Sequence, residues 1–182
     1  MKIIPSKLSG VCVIEPRVFG DARGYFMEAW NATGYAAIHG PVRFVQDNIS
    51  SSRRGVLRGL HFQNPNTQGK LISVLAGEVY DVTVDLRRSS TTFGQWEAFT
   101  LSSDNRWQLF LPPGFAHGFQ VVSETALFHY KCTALYSAAD EHTLCWDDPD
   151  LRIPWPLPEP ALSAKDQSGA KLRDLSPAQL FD

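Results

Sequence analysis

The 182-residue chain lacks any apolar run approaching the roughly 20 residues that span a bilayer, so no membrane association is expected. Its opening residues, MKIIPSKLSG, carry two lysines but no apolar stretch behind them, and a secretory signal is not expected. Cysteine is scarce. The three present (Cys12, Cys132, Cys145) are odd in number, widely spaced and never in a C-x-x-C pair. That spacing argues against a disulfide framework or a zinc knuckle, and a reducing cytoplasm is the expected location. An excess of one charge is missing too: 17 Lys and Arg face 19 Asp and Glu, a net charge of −2. Without a basic face nucleic acid is not an expected partner. A small anionic ligand is still compatible, because a few arginines in a cleft outweigh the total. Repeats, low-complexity stretches and charge blocks are absent as well. With 43% hydrophobic and 20% charged residues, the composition is that of one globular domain with a real core.

What is present is a series of short β-like runs broken by Gly, Pro, Asn and Asp. The pattern predicts strands over 11–15, 25–29, 44–50, 56–63, 71–76, 78–86, 96–101, 108–111, 117–122 and 126–133. The runs 71–76 and 78–86 meet at Ala76-Gly77, which predicts a tight hairpin. In the second run Tyr80, Val82, Val84 and Leu86 share one face and Asp81, Thr83 and Asp85 the other. A helix is expected over Asn31–Ile38, closed by His39-Gly40-Pro41, and a short one from Ser176-Pro177. The proline-rich stretch IPWPLPEP (153–160) is unsuited to a central strand and is expected to wrap the surface and deliver the C-terminal tail. Many short antiparallel strands with a few short helices predict an all-β sandwich or barrel of the jelly-roll type.

Three segments carry candidate chemistry. The first runs from Gln46 to Lys70 and includes Arg58, His61 and Lys70 in or beside an apolar strand. An imidazole in such a strand is more often structural than catalytic. Here, however, Gly59 leaves space beside His61, and Lys70 stands just before the next strand. Strict alternation puts Arg58 opposite His61, so if both serve one site Gly59 must mark a bulge or twist. The second segment is L-P-P-G-F-A-H-G-F (111–119). Its P-x-G-x-x-H core resembles the second motif of the cupin superfamily, but the strand matching the first motif reads H-F-Q, with Gln63 where metal-binding cupins have a second histidine. Two imidazoles, His61 and His117, fall short of the usual ligand set, so no metal is expected. In the third segment, A-L-F-H-Y-K-C-T (126–133), Phe128, Tyr130 and Cys132 share one face, and a buried Tyr130 hydroxyl needs a partner.

Together with D-A-R-G-Y-F-M-E, Q-D-N-I-S, W-D-D-P-D-L and L-S-A-K-D, these segments resemble the dTDP-4-dehydrorhamnose 3,5-epimerase family through nearly the whole chain. Phe62, Pro113 and the stretch 137–142 depart from that family's usual pattern. The resemblance implies a cupin-type jelly roll, a single domain acting as a homodimer with exchanged N-terminal strands, no cofactor, and a dTDP-4-keto-6-deoxy sugar nucleotide as substrate. By motif position it implies His61 as base, Asp166 of the tail as its orienting partner, Lys70 as enolate stabiliser and Tyr130 as proton donor. It also implies substrate contacts from Arg23, Phe26, Glu28, Gln46, Asn48, Arg58, His117, Glu141 and Lys165, with Tyr136 stacked on thymine and Arg23 and its neighbours reaching the partner's site.

The residue types suit that chemistry. A C–H bond beside a ketone is acidified because the carbanion delocalises onto oxygen, and in a 4-keto sugar both C3 and C5 qualify. Histidine has an unperturbed pKa of about 6.5, close to working pH. A carboxylate on its other nitrogen fixes the tautomer. The rival readings are a monofunctional 3- or 5-epimerase, a metal-dependent cupin enzyme, and a non-catalytic sugar-nucleotide-binding barrel. The missing H-x-H opposes the second, and a binding barrel needs no His–Asp pair.

Overall fold

The computed structural model describes residues 1–40 and 42–182. Thirteen strands are present among them: β1 (Lys2–Pro5), β2 (Cys12–Glu15), β3 (Val18–Asp21), β4 (Gly24–Met27), β5 (Gln46–Arg53), β6 (Leu57–Gln63), β7 (Lys70–Ala76), β8 (Glu78–Asp85), β9 (Trp96–Ser102), β10 (Gln108–Leu111), β11 (Phe115–Val121), β12 (Thr125–Cys132) and β13 (Glu141–Thr143). Helix α1 (Ala32–His39) is capped by Asn31, whose side chain accepts the Gly34 N–H. Its expected stop includes Pro41, which lies outside the described residues. The expected helix at Ser176-Pro177 is a turn instead, closed by Gln179, whose Oε1 accepts from both the N–H and the hydroxyl of Ser176. The tail's real helices are earlier: α2 (Ala164–Gln167) and a 3₁₀ turn at Leu172–Asp174. No described helix is long and apolar enough to cross a membrane.

The strands form two antiparallel sheets, ordered β1-β2-β10-β7-β12-β5 and β13-β6-β11-β8-β9, while β3 and β4 form a separate two-stranded ribbon. Their inner faces meet in one core. Val13, Ile72, Leu109 and Phe128 come from the first sheet, and Val79, Leu101, Phe119 and Val121 from the second. The outer faces are covered as well. Tyr35 of α1 packs on Cys12, Ile14, Leu71 and Phe110 of the six-stranded sheet. The tail lays Leu151, Ile153, Trp155, Leu175 and Phe181 over Leu60, Val82, Val84 and Leu86 of the five-stranded one. The IPWPLPEP stretch wraps the surface as its composition requires.

The hairpin expected at Ala76-Gly77 is a correction. β7 pairs with β10 and β12, whereas β8 pairs with β11 and β9, so Gly77 is the corner at which the chain changes sheets. Glycine is needed there for a different reason than a two-residue turn. Its φ is +78°, and a Cβ would stand 2.0 Å from the Thr125 carbonyl oxygen at the start of the neighbouring strand β12. A local signal of two β runs around a glycine cannot distinguish a hairpin from a sheet change.

The alternation along β8 holds, but its polar face points inward: Asp81, Thr83 and Asp85 are all fully buried. Asp85 shows how such a carboxylate is satisfied. It accepts the backbone N–H of Arg87 (3.0 Å), a bidentate pair from its guanidinium (2.9 and 2.7 Å), and the hydroxyls of Ser90 and Thr92 (both 2.6 Å). Burial pushes the carboxyl up, but these hydrogen bonds outweigh it and hold the pKa at about 2. Because the folded pKa lies below the unfolded one, the stabilisation is complete above about pH 4 and lost as pH falls towards 2. Asp85→Asn is therefore expected to lower Tm by about 4–8 °C at pH 7, corresponding to about 2 kcal/mol. Thermal melts should show the deficit shrinking between pH 4 and 2. A gap that stays constant with pH would mean that the charge is not its source.

Candidate active site

The inner faces part at one end of the barrel around a cavity of about 390 Å³. Strand β6 supplies Arg58 and His61 to its wall, and the way it does so depends on Gly59. β11 pairs His117 with His61 and Phe119 with Arg58, so β6 spends three steps where β11 spends two. This is the bulge that the joint use of Arg58 and His61 requires. Gly59 has φ +124°, and a Cβ on it would lie 2.5 Å from Gly118 Cα and 2.7 Å from the His117 carbonyl oxygen. No other residue fits.

Asp166 of α2 meets His61 from behind, with its Oδ1 2.6 Å from Nε2. Since a carboxylate only accepts, Nε2 carries the proton and Nδ1 is left as the basic nitrogen. Burial raises the Asp166 carboxyl, but hydrogen bonds from His61 and Ser163 outweigh it and hold it below the usual range. The other sheet contributes Lys70 at the start of β7 and Tyr130 on β12, on which Phe128, Tyr130 and Cys132 share the inward face. Outward, His129 and Lys131 of that strand face Asp47. Lys70 is buried, which pulls its ammonium down against the opposing influence of Cys132 and Glu141. Burial, reinforced by Cys132 and Glu141 and opposed by Arg58, pushes the Tyr130 phenol up. Tyr130 therefore keeps its proton at neutral pH. Among the described residues none hydrogen-bonds the Tyr130 hydroxyl, so they do not supply the partner it was expected to need.

At the mouth, Lys165 Nζ is 2.7 Å from Glu141 Oε1, and the Tyr136 hydroxyl donates to Glu141 Oε2 at 3.0 Å. The Tyr136 N–H donates to Gln46 Oε1 (2.7 Å), and Gln46 Nε2 donates to Asn48 Oδ1 (3.0 Å). The wall thus carries Arg58, Lys70 and Lys165 against one carboxylate, a cationic balance suited to an anionic ligand. Gln63, at the second-histidine position, is tied to the chain: its Nε2 donates to Asn66 O (2.8 Å) and Leu135 O (3.3 Å), and its Oε1 accepts from Ser137 N (3.0 Å). Among the described residues no three His, Cys, Asp or Glu side chains cluster as a metal site would need.

Three of the sequence-predicted residues are not brought to this cavity. Arg23, Phe26 and Glu28 belong to the β3–β4 ribbon or follow it, and that ribbon pairs with neither main sheet. Arg23 bridges to Asp21 at 2.6 Å, Phe26 is 68% exposed, and Glu28 accepts from Asn31. Two polar residues escaped the sequence reading. Asp81 places both carboxylate oxygens 2.9 Å from His117 Nε2, deep in the barrel, and the Ser163 hydroxyl donates to Asp166. The shared polar face of Asp81, Thr83 and Asp85 was the available signal for Asp81, but the sequence does not say that this face points inward. Ser163 lay unmarked inside the S-A-K-D motif.

Jelly-roll barrels of this kind are the architecture of the cupin superfamily, and an imidazole–carboxylate pair with a phenol on the other wall of a polar cavity has the residue types of acid–base chemistry. The chain belongs to the dTDP-4-dehydrorhamnose 3,5-epimerase family, whose model matches residues 5–174. A relative of that name from Pseudomonas aeruginosa is 51% identical over 176 residues, spanning 96% of this chain and 97% of its own. The dTDP-6-deoxy-D-glucose-3,5-epimerase of Legionella pneumophila, solved with dTDP-4-keto-L-rhamnose, superposes with a TM-score of 0.96 at 48% identity, covering 99% and 97% of the two chains. ChmJ of Streptomyces bikiniensis, a 3'-monoepimerase solved with dTDP-quinovose, gives a TM-score of 0.89 at 32% identity over 93% of this chain and 87% of its own.

Proposed function

We propose that the protein inverts C3 and C5 of dTDP-4-keto-6-deoxyglucose to give dTDP-4-keto-L-rhamnose. His61 removes each proton through Nδ1, Asp166 stabilises the imidazolium so formed, Lys70 neutralises the charge developing on the C4 oxygen, and Tyr130 returns a proton to the opposite face. The observation that carries this reading is the 2.6 Å His61–Asp166 pair, mounted on one sheet's side of the cavity while Tyr130 stands on the other. A sugar held between opposed walls is approached from both faces, which inversion demands. A stabiliser such as Lys70, aimed at charge that exists only in the transition state, is worth about 10²–10³ in rate. Arg58 suits the diphosphate through charge-assisted hydrogen bonds, and binding energy from that non-reacting end positions the sugar. Gln46, Asn48, His117, Glu141 and Lys165 complete the substrate contacts, and Tyr136, 54% exposed at the rim, stacks on the base.

The test is incubation with dTDP-4-keto-6-deoxyglucose in D₂O with a chelator, following deuterium at C3 and C5 by NMR. Label at both carbons is expected. Label at only one would make the protein a monofunctional epimerase, as its structural neighbour ChmJ is at C3. No label at either would end the proposal.

The active form in this reading is a homodimer exchanging N-terminal strands, with Arg23, Phe26 and Glu28 delivered to the partner's cavity. The exposed aromatic side chains of the β3–β4 ribbon (Phe19, Tyr25, Phe26) support it, since solvent is a poor neighbour for three such rings on eight strand residues. Light scattering should return twice the chain mass; a monomer active in turnover would overturn the exchange.

A further inference from the structure

The carboxylate that addresses His61 comes from a tail with no sheet of its own, so its aim has to be set locally. Backbone anchors lie on both sides of α2. Upstream, Ala161 N donates to Gly55 O (2.9 Å) and Leu57 N donates to Ala161 O (3.1 Å). Downstream, Ala170 N donates to Thr143 O (2.9 Å) and Cys145 N donates to Ala170 O (2.8 Å). These bonds place the turn against β6 and β13, but they leave the rotation of the Asp166 side chain undecided. Terminal carboxylate torsions are intrinsically broad. Oδ1 accepts from His61 at 2.6 Å and from Gly59 N at 3.4 Å. Oδ2 accepts from the Ser163 hydroxyl at 2.7 Å, and Ser163 Oγ accepts in turn from Asp166 N at 3.2 Å. One hydroxyl therefore clamps both the backbone and the carboxylate of Asp166. Ser163 itself does not line the cavity.

We infer that Ser163 is a positioning residue for proton transfer: its hydroxyl holds Asp166 in the rotamer that presents Oδ1 to His61 Nε2, keeping the proton on Nε2 and Nδ1 free to act as base. The inference rests on His61 being the base. A serine at this place has a simpler duty, capping the four-residue α2. The two roles separate, because glycine replaces a serine cap at little cost whereas alanine does not. Neither replacement can hold the carboxylate.

The experiment uses Ser163→Ala, Ser163→Gly and Ser163→Thr in the full chain. It measures kcat and KM with the dTDP-4-keto sugar, Tm, and the ¹⁵N shifts of the His61 ring, which report its tautomer. Wild type is expected to show the Nε2–H form. Ser163→Gly should melt close to wild type yet lose about 10–100-fold in kcat, the effect of removing one hydrogen bond to a charged group, with KM nearly unchanged. Its His61 should become a mixture of tautomers. Ser163→Thr, which keeps the hydroxyl, should recover both rate and tautomer. Wild-type kcat and tautomer in Ser163→Gly would overturn the inference and leave only a cap. So would a loss of rate with the tautomer intact. If instead His61→Ala keeps its turnover, the proposed base is wrong, while the ring shifts still decide whether Ser163 acts through Asp166 on His61.

Discussion

His61→Ala is expected to lower turnover by about 10²–10⁴-fold, the usual contribution of a positioned general base, while the protein stays folded. The side chain that is lost lines the cavity, 28% exposed, and belongs to no apolar core cluster. What surrounds it keeps its own bonds. Asp166 retains Ser163 and the Gly59 N–H, and the β6–β11 register depends on backbone rather than on the ring. Melting should therefore move by only a few degrees. Deuterium exchange into the substrate should fall together with turnover, because without the base no proton leaves either carbon. A variant retaining more than about a tenth of the wild-type rate would contradict the assignment.

Tyr130→Phe should separate two steps that His61→Ala abolishes together. The phenol carries its proton at neutral pH because burial and the nearby Cys132 and Glu141 oppose its ionisation. Its hydroxyl opens into the cavity and Phe128 packs beside its ring at 6.0 Å, so phenylalanine keeps the packing and removes only the O–H. Proton abstraction on the His61 side should continue, and solvent deuterium should still enter the substrate with retained configuration. Inversion should drop by about 10²–10⁴-fold, the range of a general acid. NMR of the product in D₂O reads both rates in one sample. If exchange and inversion fell by the same factor, the two residues would not be acting on opposite faces.

Much of the fold was legible because each strand has a job that shows locally. The ten runs picked out by period and punctuation all correspond to strands, with no end moved by more than three residues and 108–111 matched at both ends. The three that escaped are short or marginal. β1 and β13 hold four and three residues, and β3 is exposed along its whole length, so none has an alternating core face to betray it. The hairpin at Gly77 failed for another reason. Which sheet a strand joins is settled by partners 12 to 62 residues away, and no window of ten residues contains them.

The candidate site divides in the same way. The sequence by itself determined the all-β class, the inward face of β12, and the need for a bulge at Gly59 if Arg58 and His61 were to work together. Each follows from the two-residue period of a strand or from glycine's freedom at positive φ. Motif likeness added Asp166, 105 residues from its histidine, with no physical argument for the contact. Only the tertiary structure decided that the polar face of β8 is the buried one, setting Asp81 against His117. It alone showed that the tail is pinned at Ala161 and Ala170 so that Asp166 reaches His61, and that the β3–β4 ribbon leads Arg23 away from its own cavity. The physical reason is common to all three. Hydrophobic pattern fixes which way a side chain points from its own strand, but what it then meets depends on how two sheets and a tail close over one another.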